Sequence, residues 1–297
     1  LQNSIQSLLL CFNNLRKFII NIDSSRTKYL YLHNVLDQGL ENISGLSNTI
    51  NILTENQDLD WVYWMEGLYY SKGKKIDQLR LSLRASKIDI SEILRNKLFD
   101  RFSCFILTSA TIKVDDSFDY FLNRNGLSDM EDIMTNDYIS PFSYGDQVTY
   151  YQYGGTRDIT GDSIRLADLI YYIHKTFQKR TMVLFTSVKM LSDVSKKIKE
   201  KPDGKEIPLF AQSRGASKPA IINGMHMHNN GLLFGTNSFW EGVDLPGDLL
   251  EILIVVKLPF DVPSDPLIKS YSNFLDANGV NSFMSFTVPE CAIRFRQ

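Results

Sequence analysis

The stretch GTNSFWEGVDLPG, residues 235–247, follows the apolar run Leu232-Leu233-Phe234 directly and precedes a second apolar run, Leu249 to Val256. A polar loop between two apolar runs of strand length sits at the end of a buried strand, where α/β sheets gather their ligand-binding groups. The loop offers Thr236, Ser238, Glu241 and Asp244 as polar side chains, and Gly242 and Gly247 let backbone come close to a bound molecule. It is expected to be a site rather than a connection.

Upstream of it the sequence alternates regularly. Met182 to Phe185 predicts a strand, Val188 to Lys199 a helix, Ile207 to Ala211 a strand, Lys218 to Asn229 a helix and Leu232 to Phe234 a strand, with Leu249 to Val256 continuing the sheet. This spacing predicts right-handed crossovers and a parallel sheet flanked by helices. Ser217 is expected to cap the helix that holds Pro219 in its first turn, and Gly231 to take a left-handed conformation after its end. Leu258-Pro259-Phe260 and Pro263 break the sheet, and a last helix is expected to start with Thr287 as cap and Pro289 at its head.

The N-terminal half reads differently. Ile5, Leu8, Phe12, Leu15, Ile19 and Ile22 recur at three- and four-residue steps, as one helical stripe. After the polar break Asn21 to Lys28, the residues Leu32, Leu36, Leu40, Ile43, Ile50 and Leu53 repeat the pattern, which predicts an antiparallel helical hairpin. WVYWMEGLYY and LRLSLR, separated by the turn signal Ser71-Lys72-Gly73-Lys74, predict two paired strands. A helix is expected from about Asp89, with Ile90, Ile93, Leu94 and Leu98 on one side. The run Cys104 to Leu107 then reads as a buried strand ending in Thr108-Ser109-Ala110-Thr111.

A length of 297 residues allows two or three domains of ordinary size, and 43% hydrophobic with 22% charged residues is the composition of a soluble globular chain. No apolar run reaches the roughly 20 residues of a bilayer span, so a cytoplasmic protein with no membrane partner is expected. Cys11, Cys104 and Cys291 lie far apart and form no Cys-x-x-Cys pair, which points to free thiols rather than a disulfide framework or a zinc site. At a net charge of −2, contact with a polyanion must come from a local patch and backbone amides. The first residue is Leu1, and PECAIRFRQ at the end reads as a helix cut in mid-course, so an internal piece of a longer protein is expected.

Three strand ends carry hydroxyls: Thr108 to Thr111, Thr186-Ser187, and Thr236 to Asp244. A parallel sheet brings its carboxyl ends to one edge, and hydroxyls there, with the amides of a following helix, suit phosphate. Ser and Thr are also ordinary helix caps, so each loop alone says little. Other features lead less far. His226 and His228 are two apart in a predicted helix and do not share a face; Tyr150, Tyr151 and Tyr153 suit packing as well as nucleic acid; the lysine excess over 179–205 suits a solvated helix face.

Taken in order, Ser109-Ala110-Thr111, MVLFTS at 182–187, LLFGTNSFWEGVDLPG at 232–247, KLPFDVPSDP at 257–266 and PECAIRFRQ at 289–297 resemble the motifs of DinG-like helicases, the superfamily 2 branch that includes XPD. The resemblance spans about residues 59 to 297. It implies a motor of two RecA-like lobes with ATP and Mg²⁺ in the cleft between them and single-stranded DNA crossing both. By this resemblance residues 1–58 are a helical arch-like insertion, 59–112 the closing part of the first RecA-like lobe, 113–139 a connection, and 140–297 the second RecA-like lobe as far as the start of the arginine motif. No G-x-x-x-x-G-K-[ST] loop and no Asp-Glu-x-His string occur in the chain, so the main nucleotide-binding half is expected upstream.

Position by position, Ser109, Ala110 and Thr111 resemble the motif that couples hydrolysis to the DNA track. Thr186, Ser187, Thr236, Ser238 and Trp240 resemble DNA-side positions, while Glu241, Gly242, Asp244 and Gln297 resemble nucleotide-side positions. Phe239 and Trp240 suit base stacking, yet an aromatic between two buried strands is usually core, a reading that fits Phe239 better than Trp240. Without the phosphate loop and the arginines that follow Gln297 in the family, the chain alone is not expected to hydrolyse ATP. The resemblance also implies 5′-to-3′ unwinding, and in some bacterial members an upstream 3′-to-5′ exonuclease domain. The family's iron-sulfur cysteines belong upstream of the arch, so this chain is silent about a cluster. The alternative is a degenerate motor, a nucleotide-responsive nucleic-acid-binding module attached to a nuclease.

Overall fold

In the computed structural model, residues 2–20, 27–54, 60–72, 75–155, 158–212 and 217–297 are described. The elements are α1 (Gln2–Ile20), α2 (Thr27–Thr54), β1 (Trp61–Lys72), β2 (Lys75–Lys87), α3 (Ser91–Lys97), α4 (Asp119–Arg124), α5 (Tyr144–Gln147), α6 (Ser163–Phe177), β3 (Thr181–Leu184) and α7 (Val188–Lys199). They continue with β4 (Leu209–Ala211), α8 (Lys218–His226), β5 (Leu232–Gly235), α9 (Asn237–Trp240), β6 (Ile252–Val255), α10 (Pro266–Ala277) and α11 (Val288–Arg296). They form two compact units, Leu1–Ile90 with Pro263–Asn278, and Ser91–Val262 with Gly279–Gln297.

The second unit is built on a parallel four-stranded sheet of order β4-β5-β3-β6. Its strands are apolar on both faces because helices cover both. Side chains alternate along a strand, so Val183, Phe185, Leu232 and Phe234 meet Leu166, Ala167 and Ile170 of α6 and Leu191, Val194 and Ile198 of α7. Met182, Leu184 and Leu233 point the other way, to Ile221 and Met225 of α8 and Phe239 and Trp240 of α9. The rings of Phe185 and Phe234 lie 5.0 Å apart between neighbouring strands. The register pairs Leu184 with Gly235 and with Val255, so the strands end along one edge, and the segments that leave it carry the hydroxyl loops.

At the opposite edge, Arg180 is buried just before β3. Its guanidinium donates to the carbonyls of His228 at 2.9 Å and Asp248 at 3.0 Å and to Asn229 Oδ1 at 3.2 Å. Methionine there removes all of these hydrogen bonds at once from a buried position, although the acceptors sit on exposed residues. Arg180→Met is expected to lower the stability of the sheet by about 2–4 kcal/mol, read as a lower urea midpoint, whereas an unchanged midpoint means that water replaces the guanidinium freely.

The α/β class, the strands β3 to β6 and helix α7 stand as the periodicity predicts. Three details differ. Cys104 to Leu107 is not a strand: it is exposed, with Ile106 at 85% accessibility, because among the described residues no strand pairs with it. Gly231 lacks a positive φ, since α8 ends at His226 and the chain turns through Met227 to Asn230 first. Thr287 makes no side-chain cap because a π-helical turn, Phe283–Thr287, runs straight into α11.

In the first unit α1 and α2 form the expected hairpin. Arg16 pairs with Asp37 at 2.8 Å, and Gly39 lies against the Phe12 ring, matches that run in opposite directions along the two helices. β1 and β2 pair antiparallel from Trp61↔Lys87 to Lys72↔Lys75, and α10 packs against β1. Residues 73–74 of the predicted turn, and most of the predicted polar break before α2, lie outside the described residues.

Candidate functional site

The end of β3 leads through Thr186 and Ser187 into α7. Both are exposed, and Ser187 Oγ accepts from the Met190 amide at 3.3 Å, so Ser187 is the helix cap while Thr186 keeps its hydroxyl outward. Around them lies a cleft of about 340 Å³ whose polar lining comes from Thr160, Ser163, Thr186, Ser187, Lys189, Asp193 and Lys257. The starts of α6 and α7 both contribute to this lining, so two helix N-termini and two lysines face the cleft together with one carboxylate, Asp193.

The end of β5 leads into α9. Thr236 is buried, and both its amide, at 2.9 Å, and its hydroxyl, at 2.8 Å, donate to Gln212 Oε1. Gln212 follows β4 directly and donates its own amide to Phe234. It escapes the sequence reading because no hydroxyl marks that strand end, although its place one residue past a parallel strand is the signal that finds it. Ser238 is exposed, whereas Phe239 and Trp240 are buried at 2% and 6%. The expectation of a DNA-facing side chain is therefore corrected for Trp240 and Thr236. The indole is core on the α8 side of the sheet, with its N–H buried and unpaired, and the Thr236 hydroxyl is committed to Gln212.

Beyond α9 the chain turns at Gly242, whose φ is +65°. Here the sequence-predicted groups converge. Ser109, Ala110, Thr111, Glu241, Gly242, Arg296 and Gln297 surround one open pocket of about 470 Å³. Thr111 is buried; its amide donates to Ser109 Oγ at 3.2 Å, and Gln297 Nε2 donates to its Oγ1 at 3.4 Å. Arg296 Nη1 donates to the Lys113 carbonyl at 2.6 Å, and Tyr120 Oη to Glu290 Oε1 at 2.5 Å, so α11 is fastened along the segment that follows Thr111. Asp244 is exposed and lines neither this pocket nor the cleft at Thr186.

Arg294 ties the pocket to the next loop. Nη1 donates to the Pro259 carbonyl and to Asp261 Oδ1, both at 2.9 Å, and Nε lies 4.0 Å from Glu241 Oε1. Burial works against the charge of Arg294, but Asp261, with Glu290 and Glu241 beyond it, raises the guanidinium pKa above its ordinary value. In α11 Cys291 is buried, which pushes its thiol pKa up and leaves it a packing residue rather than a nucleophile.

No helix among the described residues is long and apolar enough to cross a membrane, and among them no group of three or more His, Cys, Asp or Glu side chains is placed to hold a metal ion. Residues 170–297 match the helicase C-terminal domain family. The chain is 31% identical over 283 residues to the 3'-5' exonuclease DinG of Bacillus subtilis (strain 168), covering 93% of this chain and 30% of that protein. It is 27% identical to the ATP-dependent DNA helicase YoaA of Haemophilus influenzae, covering 88% of this chain and 39% of that protein. The chain thus spans about a third of the length of these relatives. Among solved structures an XPD helicase aligns over 93% of the chain and 50% of its own, at 15% identity and a TM-score of 0.47. Residues 170–297 thus carry a helicase C-terminal domain, and the chain as a whole is similar in sequence to DinG and YoaA proteins.

Proposed function

We propose that this chain is the arch and second motor lobe of an ATP-dependent helicase that translocates on single-stranded DNA. Residues 1–58 are the arch, 59–112 the closing part of the first lobe, 113–139 the connection and 140–297 the second lobe. One observation carries the proposal: Ser109 to Thr111, Glu241-Gly242 and Gln297, far apart in sequence, meet around a single pocket. A motor has to join its hydrolytic centre to its DNA track, and groups that meet around one pocket, with Gln297 hydrogen-bonded to Thr111, suit that task. Ser109, Ala110 and Thr111 couple the two; Glu241, Gly242 and Gln297 face the nucleotide, with Asp244 on the same loop outside the pocket; Thr186, Ser187 and Ser238 face the DNA backbone. Hydroxyls and amides grip sugar and phosphate without reading bases, as a translocase requires.

ATP and Mg²⁺ are held mainly by a first lobe outside this sequence, since the 297 residues carry no phosphate-loop motif. Apolar side chains that stay exposed at Phe102, Ile106, Ile139 and Tyr151 are the surface such a lobe covers. The relative from Bacillus subtilis named a 3'-5' exonuclease supports an exonuclease domain in the same polypeptide. By itself the 297-residue chain does not hydrolyse ATP.

The test is ATP hydrolysis by the full-length protein with and without single-stranded DNA, beside Thr186→Val. Hydrolysis is expected to rise at least tenfold with DNA, and the Val variant to need roughly 3- to 10-fold more DNA for half of that rise, the loss of one phosphate hydrogen bond. Absence of any stimulation in the parent protein sinks the motor reading.

A further inference from the structure

The loop that carries Ser238, Glu241 and Gly242 is held by a side chain that belongs to none of the strand-end motifs. Lys218 is the first residue of α8, after the cap Ser217. Its Nζ donates to the carbonyls of Ser238 at 2.6 Å and Glu241 at 2.7 Å, and it lies 5.5 Å from the centroid of the Phe239 ring. α9 has four residues and ends at Trp240, so its last carbonyls have no intrahelical donor. An ammonium is the complement such an end requires: two of its three N–H groups reach carbonyls, and its charge faces the negative end of the helix and the face of an aromatic ring.

The consequence lies one residue further on. Gly242 turns the chain toward the pocket with a φ of +65°, so the direction of that turn depends on where the Glu241 carbonyl is fixed. Lys218 fixes it, and does so from α8, an element anchored in the core by Ile221 and Met225. We propose that Lys218 is a positioning residue, which pins the end of α9 so that Ser238 stays outward while Glu241 and Gly242 face Thr111 and Gln297. This inference rests on the reading of that loop as the meeting point of DNA and nucleotide.

Two substitutions in the full-length protein test it, Lys218→Met, which keeps the stem and removes the donors, and Lys218→Arg, which can still donate to both carbonyls. Lys218→Met is expected to raise the DNA concentration for half-maximal ATPase stimulation about tenfold, through displacement of the loop rather than loss of a ligand. Lys218→Arg recovers at least half of that loss. Independently of activity, the amides of residues 239–244 exchange with deuterium about tenfold faster in the Met variant while those of β3 keep their rate, since the opening is local. Unchanged exchange at 239–244, or an Arg variant no better than Met, overturns the assignment. If the parent protein shows no DNA-stimulated hydrolysis, the helicase reading fails, and the exchange rates still decide the role of Lys218.

Discussion

Arg294→Met in the full-length protein is expected to lower DNA-stimulated ATP hydrolysis by about 100-fold, the scale that a displacement of roughly 1 Å in a catalytic arrangement costs. The guanidinium holds three things at once: the Pro259 carbonyl, the Asp261 carboxylate and, more distantly, Glu241 at the rim of the pocket. Methionine fills a similar volume but donates nothing, so Asp261, itself largely shielded, loses its partner and the loop it sits on is free to shift. α11 loses its link to that loop at the same time, and with it the placement of Arg296 and Gln297. Lysine at this position keeps the charge and one nitrogen that can donate to carbonyl and carboxylate, but not the second arm, Nε, near Glu241, and should recover only part of the rate. The measurement is steady-state hydrolysis across DNA and ATP concentrations, with thermal unfolding beside it. A methionine variant with parental rates and an intact fold removes Arg294 from any role in the site.

How far the sequence alone leads can be read from these same residues. The parallel sheet was legible because its strands are short apolar runs separated by helices of regular period, and a segment buried on both faces shows that pattern without help from its neighbours. Thr186, Ser187 and Ser238 were legible as strand-end positions for the same reason. Cys104 to Leu107 has the same apolar signature yet stays exposed, because a strand exists only where another strand pairs with it, and its own residues do not say whether one does. Trp240 shows the converse limit: an aromatic in a polar loop reads as base-stacking or as core alike, and only the helical turn of α9, which rotates it into the core, decides between them.

The residues that escaped the reading act through the backbone. Gln212 holds the Thr236 amide, Lys218 holds two carbonyls, and Arg294 holds Pro259. A side chain that binds main chain leaves no pattern of residue types at its partner, since every residue has a carbonyl. Glu290 and Tyr120, paired across 170 positions, were invisible for a related reason: nothing local to either predicts the other.

Gly235→Ala bears on fold and site together. Gly235 closes β5, where its carbonyl accepts from the Phe185 amide, and a methyl built on its Cα comes within 2.5 Å of Phe239 Cβ and 2.6 Å of its Cγ. Those atoms are the root of a side chain that is 2% exposed, so no rotation of the ring relieves the overlap; either β5 or α9 must move. Overpacking of this kind costs about 1–3 kcal/mol, and the upper part of that range is expected here because Phe239 is wedged between β5 and α8. If β5 holds its register, α9 takes the displacement and carries Ser238 and the Lys218 tether with it, so DNA affinity falls along with stability. Gly145→Ala is the control, an exposed glycine in α5 with no atom within 4 Å of the added methyl, where the urea midpoint should not fall. A Gly235→Ala protein with the parental midpoint and parental DNA affinity means that the strand end and α9 are not rigidly joined, and the rigid placement of the loop by the sheet edge is then wrong.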